Sequence, residues 1–274
     1  MNEALGEQVR DASDETFVLF SQDLPSNSLG FVDAKADEID IDIGIRSFVL
    51  KQSPGLLISQ RDTGTTGAVL WKVSPLVAQW LTSKPAALYE KGILSEDATV
   101  VELGCGITGL IGVAMSPHVD TYVLTDQAYI SKRVHENIAE CRITQKARGA
   151  SKAALRFVEL DWEKDKPSRA GLSLRPGQNL DLIIACDCIY NDFLIKPLVQ
   201  TMIDLCRLKV SSSKPTAVLV AQQLRDSSIF EDFMASFLDD FDVWRLADDA
   251  LPAGLRLGSG YTVHLAWLRE RLSD

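Results

Sequence analysis

The 274-residue chain has few of the residues that build metal centres and disulfide frameworks. Its five cysteines are odd in number and lack Cys-x-x-Cys spacing, so we expect reduced thiols of an intracellular protein. Its three histidines are isolated from one another, which argues against a metal centre. No run approaches 18 consecutive apolar residues, and the first residues lack the pattern of a signal peptide. A cytoplasmic protein without membrane contact is expected, with the nucleus as the alternative compartment.

Negative charge is concentrated at the start of the chain. The sequence has 38 acidic and 28 basic residues, and residues 1–42 contain 11 acidic and two basic ones. We expect residues 1–38 to form an acidic, partly flexible arm, either a solvated leader or a segment that attracts a basic protein. Residues 132–175 have 11 basic and six acidic residues, which is typical of a solvated face, with contact to RNA or an acidic rim as the alternative. The acidic arm argues against general nucleic-acid binding, so no nucleic acid is expected to be required.

Hydrophobic periodicity predicts two further parts of the chain. Residues 39–46 alternate strictly between apolar and polar, which is typical of a half-buried strand, and Ser74 before Pro75 is typical of a helix start. Residues 39–95 are therefore expected to form N-terminal strands and a helix. From residue 96 onward, helical patterns separate predicted strands at 99–103, 121–125, 155–160, 181–186, 217–221, 243–246 and 261–268. This alternation predicts an α/β domain over residues 96–274, with a mostly parallel sheet and helices on both faces.

A glycine-rich turn follows the first of these strands. Gly104, Gly106 and Gly109 form a G-x-G-x-x-G pattern, in which glycines let a ligand approach the backbone closely. Asp126 ends the next strand, where an acid that binds ribose hydroxyls is expected. These features fit a nicotinamide or flavin dinucleotide, a cationic nucleoside, or a tight turn without a ligand. Glu102 favours the cationic ligand, because a carboxylate repels a pyrophosphate and attracts an ammonium group.

Several short segments resemble one family. Residues 100–106, Val-Val-Glu-Leu-Gly-Cys-Gly, resemble the first motif of the seven-strand S-adenosylmethionine methyltransferases. Leu70-Trp71, Leu160-Asp161-Trp162 and Asp187-Cys188-Ile189-Tyr190 resemble methyltransferase family 16, which contains many protein-lysine methyltransferases and has a D-x-x-Y motif after its fourth strand. Residues 67–75 are most similar to the fungal ribosomal lysine N-methyltransferase 5 group, although Lys72-Val73-Ser74 stands where relatives usually have Asp-Ala-Ala. The detailed resemblance covers residues 66–192.

The resemblance implies a fold, a cofactor and a set of site residues. The implied fold is a Rossmann-like seven-strand sheet with an antiparallel last strand, with residues 39–95 covering the cofactor edge, and the cofactor is S-adenosyl-L-methionine. The implied cofactor-binding residues are Trp71 beside the cofactor, Glu102, Gly104 and Gly106 near its amino-acid end, Asp126 at the ribose, Asp161 and Trp162 at the adenine, and Ala185 through its backbone. Asp187 and Tyr190 are implied to border the substrate channel as the catalytic residues. No metal is expected.

The predicted function is protein-lysine N-methylation by in-line transfer to a neutral amine. Asp187 is expected to grip and aim the amine, whose proton leaves to water, and Tyr190 to form an aromatic wall with an orienting hydroxyl. The resemblance implies a ribosomal protein as the substrate, and a monomeric enzyme is expected. Three alternatives stay open: transfer to another protein nitrogen or a small molecule, a non-catalytic assembly module, and a dinucleotide oxidoreductase.

Overall fold

The computed structural model describes residues 5–25, 30–57, 66–147, 154–210 and 214–270. Within these ranges the strands are β1 (Gly6–Val9), β2 (Glu38–Ile43), β3 (Arg46–Lys51), β4 (Thr99–Leu103), β5 (Thr121–Asp126), β6 (Ala154–Glu159), β7 (Leu182–Cys186), β8 (Ala217–Gln223), β9 (Phe241–Leu246) and β10 (Tyr261–Leu268). The helices are α1 (Ala12–Phe20), α2 (Pro54–Leu57), α3 (Val73–Thr82), α4 (Ala86–Tyr89), α5 (Leu110–Met115), α6 (Ser131–Ala147), α7 (Asp192–Cys206) and α8 (Ser227–Leu238). All seven strands predicted after residue 96 form.

The main sheet has the strand order β1-β9-β10-β8-β7-β4-β5-β6. Strands β8, β7, β4, β5 and β6 pair in parallel, whereas β10 pairs antiparallel with both β8 and β9. The predicted α/β fold and the antiparallel last strand are therefore confirmed. Because β4 lies between β5 and β7, the chain order reverses at β4, and open α/β sheets bind ligands beyond the carboxyl ends of the strands at such a point.

Helices cover both faces of this sheet because its central strands are apolar on both sides. All five residues of β4 and all five of β7 are buried. Val100 and Leu182 belong to the apolar core beneath α3, α5 and α6, whereas Val101 and Ile183 belong to the core beneath α1, α7 and α8. Continuous apolar strands of this kind are typical of a parallel sheet that is covered twice.

Part of the N-terminal segment, for which a flexible arm was expected over residues 1–38, forms regular structure. Among its described residues, β1 pairs antiparallel with β9 at the edge of the main sheet, and α1 packs against α8. Glu15 is buried, receives a hydrogen bond from Arg245 (Nη1–Oε2 2.6 Å) and lies beside His264 (Oε1–Nε2 2.8 Å). For the described residues 5–25 the structure gives a strand and a helix, and net charge could not show that Glu15 has a buried cationic partner; the acidic, partly flexible arm over residues 1–38 as a whole stays a prediction.

The predicted strands and helix of residues 39–95 form. The strand pair predicted from residues 39–46, 48–50 and 56–59 forms as the β2–β3 hairpin, except that Leu56 and Leu57 belong to α2 and residues 58–59 lie outside the described ranges. Helix α3 begins at Val73, one residue before the expected N-cap. Lys51 N donates to Asn137 Oδ1 (2.9 Å) on α6, and the apolar side chains of β3 and α3 share a core with α5. The boundary at residue 95 between this N-terminal part and the domain over residues 96–274 stays a prediction.

Three further observations concern the described residues. All five cysteines are buried and free of disulfides. Within the described ranges no helix has the length and apolar character needed to cross a bilayer. The same ranges hold no cluster of three or more His, Cys, Asp or Glu side chains arranged to bind a metal ion.

Candidate active site

The glycine-rich turn leaves β4 through two glycines in the left-handed region. Gly104 has φ +64° and Gly106 has φ +63°, which side chains of other residues rarely allow. A Cβ atom on Gly104 would lie 2.8 Å from Cys188 Sγ. Ile107 N donates a 2.7 Å hydrogen bond to the carbonyl oxygen of Gly67, which brings the segment before α3 onto the turn. The turn is therefore closed on two sides by backbone and by the loop after β7.

Asp126 connects the second parallel strand to this turn. Its Oδ2 accepts a 2.9 Å hydrogen bond from Gly106 N, and its Oδ1 accepts a 2.7 Å bond from Gln127 N. Burial raises the pKa of Asp126 to about 6, although both backbone hydrogen bonds lower it. Near pH 7 the group is a carboxylate at the end of β5, where the sequence predicts a ribose-binding acid.

Glu102 lies beneath the turn rather than in the cleft beside it. The Tyr122 hydroxyl donates to Glu102 Oε2 (2.8 Å), and Glu102 is 2% exposed. Burial raises the pKa of Glu102 to about 8, and the nearby charge of Asp126 also raises it. The group is mainly protonated near pH 7, so the argument that used its negative charge against a dinucleotide does not hold. The geometry gives Glu102 a supporting role and does not support its predicted contact with the cofactor.

A cleft of about 790 Å³, including its opening to solvent, lies at the carboxyl ends of β4, β5 and β7. Eight of the ten predicted site residues line it: Trp71, Gly104, Gly106, Asp126, Asp161, Trp162, Asp187 and Tyr190. Glu102 and Ala185 do not, and Ala185 is fully buried within β7. The sequence motifs therefore converge on one cleft, with two exceptions that lie inside the sheet.

The loop after β6 forms one wall of the cleft. Lys164 Nζ donates to Asp161 Oδ2 (2.7 Å), so one carboxylate oxygen of Asp161 already has a cationic partner. The Trp162 ring lies within 3.4 Å of the position of a Cβ on Gly104, and its Nε1 is buried without a hydrogen-bond partner. A buried donor without an acceptor costs free energy, so a ligand acceptor at this position would remove that cost.

Asp187 follows β7 and has a paired, buried carboxylate. Its φ is +60°, which is uncommon for a residue other than glycine, and its N–H donates to the carbonyl of Ala221 (2.8 Å). Arg225 donates from Nη1 to Oδ1 (2.8 Å) and from Nη2 to Oδ2 (2.6 Å), and Gln222 Nε2 donates to Oδ1 (3.1 Å). The predicted role of gripping the amine stays a prediction, with the new fact that an arginine already binds both carboxylate oxygens.

Two aromatic side chains, Trp71 and Tyr190, line the cleft near Asp187. The Trp71 ring packs on Phe31 with 4.4 Å between ring centroids, and Trp71 Nε1 donates to the carbonyl of Thr66 (3.0 Å). Tyr190 is half-buried and hydrogen-bonds with Thr66. Burial raises the pKa of Tyr190, so its hydroxyl is protonated near pH 7. One threonine therefore links Trp71, which the resemblance implies lies beside the cofactor, to Tyr190, which it implies borders the substrate channel.

The residues of the cleft fit the implied cofactor, S-adenosylmethionine. Asp126 provides an acceptor for ribose hydroxyls, and Gly104 leaves space that a Cβ would fill. The Trp162 Nε1 provides a buried donor that has no protein acceptor. These three features come from three different segments and face the same cleft.

A doubly wound sheet with a glycine turn after β4 and an acid ending β5 is shared by dinucleotide-binding proteins and S-adenosylmethionine-dependent methyltransferases. Comparison with known families defines the class more narrowly. The sequence model of the family described as "Lysine methyltransferase" matches residues 50–239, well over half of the chain. The chain belongs to the lysine methyltransferase family, and the predicted family is confirmed.

Individual relatives agree with this family to different degrees. The chain is 29% identical to ribosomal lysine N-methyltransferase 5 of Lachancea thermotolerans, covering 72% of this chain and 75% of the relative. It is 32% identical to a Schizosaccharomyces pombe protein named diaminohydroxyphosphoribosylamino-pyrimidine deaminase, covering 86% of this chain but about half (53%) of that protein. A candidate S-adenosylmethionine-dependent methyltransferase from Streptococcus mutans has a similar fold, with a TM-score of 0.51, 14% identity, and coverage of 85% of this chain and 56% of that one.

Sequence reasoning missed two residues that organise the acceptor side. Arg225 comes two residues after β8 and binds Asp187, and Thr66 precedes Trp71 and contacts Tyr190. Arg225 carries a usable signal, because it follows a parallel strand at the sheet edge where the other site residues lie. Thr66 carries no comparable signal, because its contacts depend on how residues 66–71 lie across the turn.

Proposed function

We propose that this protein is an S-adenosylmethionine-dependent protein-lysine N-methyltransferase whose substrate is a ribosomal protein. The family match supports lysine methylation, and the name of the Lachancea relative supports the ribosomal substrate. The observation that carries the proposal is the shared cleft. Asp126 and the glycine turn line one part of it, and Asp187, Tyr190 and Trp71 line the other.

Positioning is the main contribution that these residues make to methyl transfer. S-adenosylmethionine, when bound, supplies a methyl group already activated by its sulfonium. Asp126 and the turn bind and orient one reactant, whereas Trp71 and Tyr190 confine the approach of the other. Orientation of two reactants in a site can remove about 7–11 kcal/mol of the barrier.

The acceptor amine must also be neutral when it attacks. Lowering a lysine pKa from about 10.4 to near 7 corresponds to about 4–5 kcal/mol. An aromatic channel disfavours the ammonium form by desolvation, and a sulfonium charge disfavours it further. Tyr190 provides an apolar face for the lysine stem, Asp187 orients the amine, and the proton leaves to water.

Finer features of the proposal concern where and with what the enzyme acts. We propose that the enzyme is a monomer, that it acts in the cytoplasm, and that it methylates a protein without requiring nucleic acid. A methyltransferase for another protein nitrogen or a small molecule would use the same cofactor-binding residues and differ at Trp71 and Tyr190. The deaminase name belongs to the Schizosaccharomyces protein, of which this chain matches half.

The test is methylation of ribosomes from a Saccharomyces cerevisiae strain that lacks its ribosomal lysine N-methyltransferase 5. Purified protein is incubated with these ribosomes and labelled S-adenosylmethionine, and the modified atom is located by mass spectrometry. We expect label on a lysine side-chain nitrogen of a ribosomal protein. The Asp126→Ala variant is the inactive control, because it keeps the acceptor side intact.

Other outcomes would replace the proposal. Label on a different nitrogen, or on small molecules only, would leave a methyltransferase with another substrate. Binding of S-adenosylhomocysteine without transfer to ribosomes or lysate proteins would favour a non-catalytic module. Binding of NAD in place of S-adenosylhomocysteine would exclude methyl transfer.

A further inference from the structure

Arg225 lies at the junction of three segments that build the acceptor side of the cleft. Its guanidinium binds both carboxylate oxygens of Asp187 and also donates from Nη2 to Gln223 Oε1 (2.8 Å). The same guanidinium lies over the Trp71 ring, 4.8 Å from its centroid. A Cβ on Gly30 would lie 2.5 Å from Arg225 Nη2, so the N-terminal segment also packs directly on this side chain.

The ion pair between Arg225 and Asp187 has the geometry that fixes the orientation of the Asp187 carboxylate. A bidentate arginine–carboxylate pair holds both groups in one plane, which a lysine could not do. The Asp187 side chain is 2% exposed and the Arg225 side chain 24%, so solvent screens their interaction weakly. The stacked Trp71 ring is in turn packed on Phe31. Moving Arg225 would therefore disturb both the carboxylate and the indole that line the acceptor side.

We propose that Arg225 is a positioning residue for the methyl transfer, which orients Asp187 and Trp71 and offsets the charge of Asp187. This inference rests on the proposed function. A lone carboxylate beside the acceptor would stabilise a lysine in its charged, unreactive form. An ion pair has no net charge, so Asp187 can orient the amine through hydrogen bonding with a much weaker preference for the ammonium.

The other titratable groups that face Asp187 do not change this balance near pH 7. Tyr261 of β10 faces both Asp187 and Arg225, and Cys186 and Cys188 flank Asp187 in the chain. Burial raises the pKa of each of these three groups, so they are neutral near pH 7. Arg225 is thus the cation that compensates the Asp187 carboxylate.

The test is the pH dependence of single-turnover methylation in four proteins: wild type, Arg225→Gln, Asp187→Asn and the double variant. Enzyme is in excess over the methylation-deficient yeast ribosomes, and S-adenosylmethionine is saturating. The methylation rate should rise with pH, and its rising limb is the pH range of that increase. We expect this limb to lie about one pH unit or more higher in Arg225→Gln than in wild type, and lower by a similar amount in Asp187→Asn. In the double variant, which has neither charge, the limb should return close to its wild-type position although the rate stays low.

Three measurements distinguish an effect of the Arg225 charge from a structural disturbance caused by the substitution. Calorimetry should give S-adenosylhomocysteine affinities within about threefold of wild type for all four proteins, because Asp126 and the glycine turn are unchanged and Trp71 keeps its contacts with Phe31 and Thr66. Arg225→Lys restores the charge without the bidentate geometry, so it should recover the wild-type limb and only part of the rate. Arg269→Gln is the matched control, since it removes an exposed ion pair with Asp242 (2.8 Å) at the opposite end of the sheet and should change neither quantity.

Each result has a defined meaning. Equal pH limbs in the four active proteins would overturn the proposal and leave Arg225 a structural residue. If Arg225→Gln does not fold, the Asp187→Asn and double variants still test the charge effect, because neither leaves an unpaired carboxylate. If the wild type transfers no methyl group to ribosomes while binding the cofactor product, the proposed function fails and this inference fails with it.

Discussion

The molecule contains two buried carboxylates that arginines hold in place, Glu15 and Asp187. Glu15 is paired with Arg245 and lies beside His264, on the side of the sheet where α1 packs against α8. Asp187 is paired with Arg225 and lines the cleft. The two pairs have similar chemistry and similar burial, and they differ in what surrounds them.

The surroundings determine what each pair contributes. Burial raises the pKa of Glu15, but the hydrogen bonds and charges of His264 and Arg245 outweigh it and lower the pKa below its ordinary value. All partners of Glu15 belong to elements of the fold. Asp187 instead has a positive φ and, although its side chain is 2% exposed, belongs to the lining of a cleft that two aromatic rings also line. A backbone conformation of this kind is found where a side chain must be aimed at a ligand. From this difference we predict that Glu15 contributes to the stability of the fold and that Asp187 contributes to methyl transfer.

The largest effect is expected for stability in Glu15→Ala. Breaking this buried ion pair leaves Arg245 with only the exposed carboxylate of Glu7 and removes the buried partner of His264, so the free energy of unfolding should fall by about 3–5 kcal/mol. Because the folded pKa of Glu15 is lowered, its contribution is present above about pH 4.5 and is lost as the pH falls through the folded value. Urea unfolding at pH 7 and pH 4 measures both effects. Asp242→Ala, which removes an exposed partner of Arg269, should cost less than about 1 kcal/mol.

The assignment of Glu15 to stability and of Asp187 to methyl transfer would be contradicted if Glu15→Ala changed the methylation rate or if Asp187→Ala left it unchanged. We expect Asp187→Ala to lower single-turnover methylation about 100-fold or more, equivalent to about 2.7 kcal/mol, with cofactor affinity within about threefold of wild type. A collapse of cofactor affinity with normal turnover at saturating cofactor would place Asp187 in the cofactor site. Normal values for both would remove it from the site altogether.

Asp126 provides a third case, because backbone N–H groups rather than a cation hold this partly exposed carboxylate at the cleft. Its pKa of about 6 means that the acid protonates as the pH falls below 6. The protonated form is a poorer acceptor for ribose hydroxyls, so cofactor affinity should fall by up to tenfold per pH unit below about pH 6. Asp126→Asn should abolish this dependence and weaken binding at pH 8 by about 1.5–3 kcal/mol.

Calorimetry between pH 5 and pH 8 measures that dependence, and Glu102→Gln is its control. The pKa of Glu102 is about 8, so this acid titrates in an adjacent range. A pH dependence that survives in Asp126→Asn and disappears in Glu102→Gln would assign the titration to Glu102 and contradict the prediction.

The same contrast explains how much the sequence could predict. The strand–helix alternation and the short motifs predict the parallel sheet, the glycine turn and Asp126, because each depends on residues that are close together in the chain. The burial of Glu15 and the burial and protonation of Glu102 could not be predicted, for one reason. Both are acidic residues whose partners, Arg245 and Tyr122, lie far away in sequence, so neither their burial nor their protonation is visible in the local pattern.

Arg225 is only partly predictable from the sequence. Its place just after a parallel strand marks it as a residue at the binding edge, but its pairing with Asp187 depends on the adjacency of β7 and β8. Sheet order is therefore the information that converts a list of residues at strand ends into a site. The folded N-terminal segment needs the same information, since β1 is placed by pairing with β9.

The smallest expected effect concerns Tyr190, whose ring and hydroxyl can be separated. Tyr190→Phe removes only the hydrogen bond with Thr66. The activation free energy should rise by about 0.5–1.5 kcal/mol, so the single-turnover rate should fall roughly 2–12-fold. Tyr190→Ala also removes the wall for the lysine stem and should be slower still. Thr66→Val removes the same hydrogen bond from the other side. If the bond orients the ring, the Thr66→Val and Tyr190→Phe effects should not add in the double variant. Additive effects would show that the two side chains act separately, and a Phe variant as slow as the Ala variant would assign the whole contribution to the hydroxyl.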